Sequence, residues 1–167
     1  KLHETVYYPG YPNIFDVIEP PWYSAMAQGQ ILSFFCRLYL ITEEYMYLDF
    51  ANKIYYSFQN FDNNKDSWTV LIDQDGYYWL EEYPADPADH VLNGFMFSLF
   101  GLYDYYIITK NESSKNYLMA SLTTLKKYLE QYRIVDNPSK YCLRHGFPHP
   151  NYHLIHMRYL DEIYKIT

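Results

Sequence analysis

Trp79-Leu80-Glu81-Glu82-Tyr83-Pro84, then a short Pro/Asp loop, then His90-Val91-Leu92-Asn93-Gly94-Phe95-Met96 is the stretch on which the fold turns. Trp79 to Glu82 reads as the end of a strand, and the apolar run after Asp89 or His90 predicts a helix to about Thr109. Upstream, Trp68 to Ile72 and Tyr77 to Glu82 are β-like, and Asp73-Gln74-Asp75-Gly76 between them supplies turn chemistry, so a hairpin is expected. Two carboxylates, a phenol and an amide therefore crowd a strand-to-helix junction, a place where rigid scaffolds commonly hold their chemistry.

Outward from the junction the pattern is helical. Residues 1–21 read as an extended lead-in closed by Pro20-Pro21, and residues 22–167 as the domain. A helix is predicted over Tyr23 to Ile41, where Gly29 between Gln28 and Gln30 suits close helix packing while one amide reaches a groove. Thr42 is expected to cap a second helix with Glu43 and Glu44 in its first turn, where acidic side chains favour the positive end of the helix dipole. Ser113 or Ser114 starts another helix with Leu118, Leu122, Leu125 and Leu129 on one face; an extended piece at Tyr141 to Leu143 leads to a last helix from about Tyr152. The expected fold is mainly α, antiparallel helix pairs with a short β-hairpin, and the array looks incomplete because a closed ring of helix pairs needs more helices.

Composition narrows the function. At 49% hydrophobic and 21% aromatic, the 167 residues can build a core, and intrinsic disorder is not expected. The 22 tyrosines suit sugar stacking, but on composition alone packing at a core boundary is the favoured role. A formal net charge of -7 argues against nucleic acid as a partner. Yet from Asn137 to Leu160 there is no Asp or Glu, while Lys140, Arg144 and Arg158 are joined by His145, His149, His153 and His156; a local anion pocket and chance are both open. Two cysteines, Cys36 and Cys142, make no disulfide framework, and no apolar run reaches the roughly 20 residues of a membrane span. The start at Lys1 predicts a chain processed or excised from something longer, with secretion, the periplasm or a secretory lumen as the expected compartment. Asn111-Glu112-Ser113 fits a glycosylation acceptor, which matters only in a secreted protein.

Five pieces in collinear order carry a family resemblance: Pro21-Trp22-Tyr23-Ser24-Ala25-Met26-Ala27-Gln28-Gly29-Gln30, Glu81-Glu82-Tyr83-Pro84, Val91-Leu92-Asn93-Gly94-Phe95-Met96 with Gly101-Leu102-Tyr103-Asp104, Leu143-Arg144-His145, and Tyr152-His153 with His156. Over roughly residues 20–160 the chain resembles the C-terminal domain of the D-glucuronyl C5-epimerases, enzymes that convert glucuronic to iduronic acid within heparan-type polysaccharides. The resemblance implies an incomplete α/α toroid and a uronic-acid-containing glycan as partner. It also implies an upstream region that completes the cleft, and this chain has little before Trp22. The loop between Arg144 and Tyr152 is shorter than the family's. Assembly state stays open, a homodimer included.

Epimerisation at C5 removes a proton next to a carboxylate and returns it from the other face, so it needs a cation or strong donor at that carboxylate and a proton carrier on each side. Arg144 is the natural clamp, through two parallel hydrogen bonds. The resemblance points to Glu82, Tyr83, Tyr141 and Tyr152 as proton carriers. Glu82 and Tyr152 are expected to form the opposing pair, with Tyr83 and Tyr141 orienting the sugar or relaying protons. A tyrosine is a poor base near its usual pKa of about 10, so positive charge from Arg144, His153 and His156 is expected to favour a phenolate. Trp22, Gln28, Asn93, His153 and His156 are candidate sugar contacts, with Asn93 equally suited to a helix start. His153 and His156 have a spacing metals can use but no clear third ligand, so neither a metal nor a cofactor is expected.

The alternatives are a polysaccharide lyase, which begins with the same proton abstraction and then expels the C4 substituent, and a non-catalytic carbohydrate-binding domain on the same fold. A glycosidase fits poorly: Glu81 and Glu82 are adjacent on a strand and point to opposite faces, so they cannot flank one bond.

Overall fold

A computed structural model of the protein describes residue 18, residues 22–61 and residues 68–167. The expected lead-in over residues 1–21 lies outside them except for Ile18 and is not described further. The fold is mainly helical, as expected: α1 (Ala25–Thr42), α2 (Tyr45–Tyr55, continued by a single 3-10 turn), strands β1 (Val70–Ile72) and β2 (Tyr78–Leu80), α3 (Leu92–Thr109), α4 (Glu112–Tyr132) and α5 (Pro150–Ile166).

The central element is α3. Its run of apolar residues shows no single polar face, which suits a helix covered on several sides. It packs on α1, α4 and α5, and touches β2. The α1–α3 crossing is close because Gly29 meets Ser98 and Gly101; a Cβ at either glycine would overlap the facing helix backbone. Gly29 thus does what its place in the sequence suggests, with Gln28 fully buried beside it.

Strands β1 and β2 pair antiparallel in the register Val70 with Leu80, Leu71 with Trp79 and Ile72 with Tyr78. The turn between them is held by Asp73, whose carboxylate accepts from the Tyr77 and Asp75 backbone N–H groups, from Trp79 Nε1 at 2.8 Å and from the Tyr128 hydroxyl at 2.9 Å. One aspartate thereby ties the hairpin to α4. The Thr124 hydroxyl adds a second tie by donating to the Tyr78 carbonyl at 2.9 Å.

Several boundaries differ from expectation, each for a local reason; α3, for one, starts at Leu92 and not at Asp89 or His90, because His90 turns left-handed (φ 53°) and Val91 is extended. Thr42 ends α1 instead of capping α2: Glu43 turns left-handed (φ 58°) and its N–H closes on the Tyr39 carbonyl, so Glu43 and Glu44 form the link. Asn111 caps α4, its side chain accepting from Ser114 N–H at 3.0 Å. The glycosylation-like asparagine is therefore engaged in helix capping. Helix α5 starts at Pro150, where a missing N–H costs nothing in the first turn.

Candidate active site

Glu81 and Glu82 follow β2 directly, and the backbone carbonyl of Glu81 accepts from Ala25 N–H at 2.8 Å, which brings the start of α1 to this junction. Both carboxyl groups are buried, at 0% and 4% exposure, so neither is a solvated hairpin residue. They enter separate networks.

Glu81 accepts from His90 twice, from the backbone N–H at 3.2 Å and from ring Nδ1 at 2.6 Å. The imidazole stacks on Trp79 with centroids 3.9 Å apart, and the His90 carbonyl accepts from the Tyr132 hydroxyl at 2.7 Å. His90 adopts φ 53°, a strained value for a residue with a side chain, and these contacts fix it there.

Glu82 turns to the first turn of α3. Asn93 Nδ2 donates to its Oε2 at 3.2 Å, and the Tyr83 and Tyr141 hydroxyls hydrogen-bond it as well. A Cβ on Gly94 would overlap the carboxyl group, so the glycine makes the seat. Tyr141 arrives because residues 141–144 run antiparallel to residues 89–92: Leu92 N–H donates to the Tyr141 carbonyl at 3.1 Å, and Val91 bridges Cys142. Around Tyr141 lie Phe147, stacked at 5.6 Å, and Tyr152, edge-on at 4.7 Å. Trp22 covers Tyr83 at 5.6 Å. Glu82, Tyr83, Asn93, Tyr141, Tyr152 and Trp22 thus form one connected aromatic and carboxyl cluster.

Its electrostatics follow from burial. Loss of water pushes the Glu82 carboxyl up to about 7, against the pull of its hydrogen bonds to Tyr83, Asn93 and Tyr141. Burial and then the Glu82 charge push Tyr83 up to about 12, and the same causes raise Tyr141 further. The expected positive field favouring a phenolate is absent from these two residues: they stay protonated and act as donors, and the group poised near neutrality is the carboxyl.

The cations already have partners within the protein. Arg144 Nη1 donates to Asp89 Oδ1 at 3.2 Å and to the Pro87 carbonyl at 3.0 Å, and His145 Nδ1 lies 3.6 Å from the same carboxylate. The carboxylate-free segment does receive an anion, and that anion is the protein's own Asp89, 1% exposed. His153 and His156 converge on Ser139: His153 Nδ1 accepts from its backbone N–H at 3.2 Å, and the Ser139 hydroxyl lies 2.7 Å from His156 Nδ1. All three line a separate pocket of about 450 Å³ with Leu92, Arg133 and Met157. Burial pulls His156 down to about 4, so it is neutral. It still touches the cluster, its ring 6.4 Å from Tyr152. Among the described residues no group of three or more His, Cys, Asp or Glu side chains is placed to hold a metal ion.

Trp22 Nε1, Asn93 Oδ1, His149 Nδ1 and His156 Nε2 are the buried side-chain polar atoms with no hydrogen-bond partner among the described residues. Each belongs to a residue touching the cluster: Trp22 against Tyr83, Asn93 on Glu82, His149 and His156 against Tyr152. Unsatisfied buried groups are few in native proteins, and these four border one cluster, which makes it the candidate site.

The family profile for the D-glucuronyl C5-epimerase C-terminus matches residues 4–167. The chain belongs to this family. It is 31% identical over 166 residues to a D-glucuronyl C5-epimerase of Caenorhabditis elegans, covering 88% of this chain and 26% of that protein. This epimerase-family chain therefore spans about a quarter of the relative it matches. His149 and Phe147 were not singled out as site residues from the sequence, although His149 belongs to the histidine-rich, carboxylate-free segment noted there. Among the described residues no helix is long and apolar enough to cross a membrane.

Proposed function

We propose that the cluster carries out C5-epimerisation of uronic acid residues, of the glucuronate-to-iduronate type, in a glycan. The observation that carries this reading is the buried Glu82 carboxyl, lifted to about 7 and surrounded by hydroxyl and amide donors. A carboxyl so placed can accept a carbon-bound proton at neutral pH and return it, since a general acid/base works best with a pKa near the working pH. Glu82 takes the C5 proton on one face, and the Tyr152 hydroxyl delivers one on the other. Tyr83 and Tyr141, kept protonated, orient the sugar and donate to the charge that develops on the substrate carboxylate.

We assign the substrate carboxylate to Arg144, whose guanidinium is oriented by Asp89 and the Pro87 carbonyl. Asn93 and Trp22 are its sugar contacts. His156 backs Tyr152 by direct ring contact and shares Ser139 with His153. The helices belong, in this reading, to an incomplete α/α toroid, and the glycan is of the heparan type.

The test is incubation of a uronate-containing oligosaccharide with the full-length protein in deuterated water. Deuterium at C5 is expected, falling sharply in Glu82→Gln and Tyr152→Phe. Absorbing unsaturated chain ends would establish a lyase instead, and binding without exchange a carbohydrate-binding domain. Undiminished exchange in both variants removes the assignment of Glu82 and Tyr152.

A further inference from the structure

We infer that His149 is a sugar-contacting residue of this site, its ring Nε2–H donating to a hydroxyl or ring oxygen of the pyranose bound beside Tyr152; this rests on the epimerase reading of the Glu82 cluster. His149 stands edge-on to Tyr152 with centroids 4.7 Å apart, and its ring also approaches Tyr141 at 6.2 Å and Phe147 at 6.4 Å. It is therefore part of the wall that any sugar reaching Tyr152 must meet.

Two ordinary duties are closed to it. His149 occupies the position before the first turn of α5, yet its side chain makes no capping hydrogen bond there. Nor is the ring drawn into the fold through Nδ1, which is buried without a partner among the described residues. A hydrogen on Nδ1 would be buried with no acceptor, so the tautomer with its hydrogen on Nε2 is favoured. His149 is only half-buried, which leaves that edge accessible.

The backbone holds the ring in place. Pro148 and Pro150 flank it with restricted φ, His149 N–H donates to the Ser139 carbonyl at 3.2 Å, and Pro148 bridges Lys140. A donor fixed in advance loses little freedom when a ligand arrives. A pyranose presents hydroxyl and ring oxygens around its rim, and one fixed N–H against an aromatic wall reads such a rim.

The experiment compares His149→Phe, His149→Gln and His149→Asn in the full-length protein, with C5 deuterium exchange and binding of the same uronate oligosaccharide as readouts. Phe keeps the ring shape and removes both nitrogens; the Gln amide reaches the Nε2 position; the Asn amide reaches only the Nδ1 position. A drop of about tenfold in kcat/KM and in affinity is expected for Phe and Asn, the effect of one lost hydrogen bond, with Gln within about threefold of wild type. A purely packing role gives the reverse order, Phe best, and overturns the inference. If Phe fails to fold, Gln and Asn decide between themselves, equal loss in both overturning it. Wild-type exchange that none of the variants alters also overturns it and leaves the epimerase reading standing. Wild-type binding without exchange, weakened in Phe and restored in Gln, upholds the contact while the epimerase reading falls. Neither binding nor exchange in wild type removes both.

Discussion

Glu81 and Glu82 are neighbours in the chain and equally out of water, yet they end in opposite surroundings. Glu81 has a complete set of partners from His90, and the contacts around it fix the loop that leads into α3. Glu82 sits among donors, but Asn93 beside it keeps a buried Oδ1 without a partner among the described residues, and burial still lifts the Glu82 carboxyl to about 7. A satisfied buried carboxylate stabilises a fold, whereas a poorly compensated one costs stability and gains reactivity. The division arises just past the end of β2, where the Glu81 N–H still donates to the Thr69 carbonyl at 2.9 Å and the bend at Glu82 brings its carboxyl to Asn93.

The sharpest way to break this contrast is Glu82→Gln. Exchange at C5 is expected to fall by about 10² to 10⁴, the range for removing a general base. In wild type, exchange rises with pH through about 7, since only the carboxylate accepts the proton. A profile flat from pH 5.5 to 8.5 would show that Glu82 is not the base.

The same substitution has an opposite effect on stability. The folded pKa of Glu82, about 7, lies above its ordinary 4.5, so the group's contribution is fully present below 4.5 and is lost as pH rises through 7. His156 has the other sign: its folded value of about 4 lies below 6.5, and its contribution is lost as pH falls through 4. Subtracting Glu82→Gln from wild type cancels His156. The difference, measured by urea unfolding, is expected to favour the variant by up to about 3 kcal/mol at pH 8 and to shrink toward pH 4.5, from 1.36 kcal/mol per pKa unit. For Glu81→Gln the expectation reverses: a loss of roughly 2 kcal/mol at pH 8, because an amide cannot accept twice from His90 without presenting its own donors. Equal signs for the two variants would end the comparison.

Much of the division was legible before the structure. The period change at Trp79 to Met96 placed the strand, the helix and both carboxylates, and Asp73-Gln74-Asp75-Gly76 placed the turn. The phenols Tyr83, Tyr141 and Tyr152 do come together with Glu82. What could not be read was the partner of each charge. Arg144 meets Asp89 across 55 residues of chain, and His153 and His156 meet Ser139 across a loop; no local spacing encodes such pairings. Nor does sequence show burial, which keeps the Tyr83 and Tyr141 phenols protonated and lifts the carboxyl instead. The α5 start, expected at about Tyr152, lies at Pro150, although a proline suits a first helical turn and was there to be read.

The smallest effect concerns the boundary of the cluster. The Ser139 hydroxyl lies 2.7 Å from His156 Nδ1 and 3.1 Å from His153 Nδ1, beside the 450 Å³ pocket. Ser139→Ala leaves the buried His156 ring with neither nitrogen bonded, a cost of about 1 kcal/mol, or roughly 3 °C in Tm for a domain of this size. His156 touches the cluster only through its ring against Tyr152, and its neutrality arises from burial, which the serine does not control. Exchange per folded molecule is therefore expected to stay within about threefold of wild type, the scale of a weak hydrogen bond. A loss comparable to that of Glu82→Gln would move Ser139 and its two histidines from the wall of the site into the reaction itself.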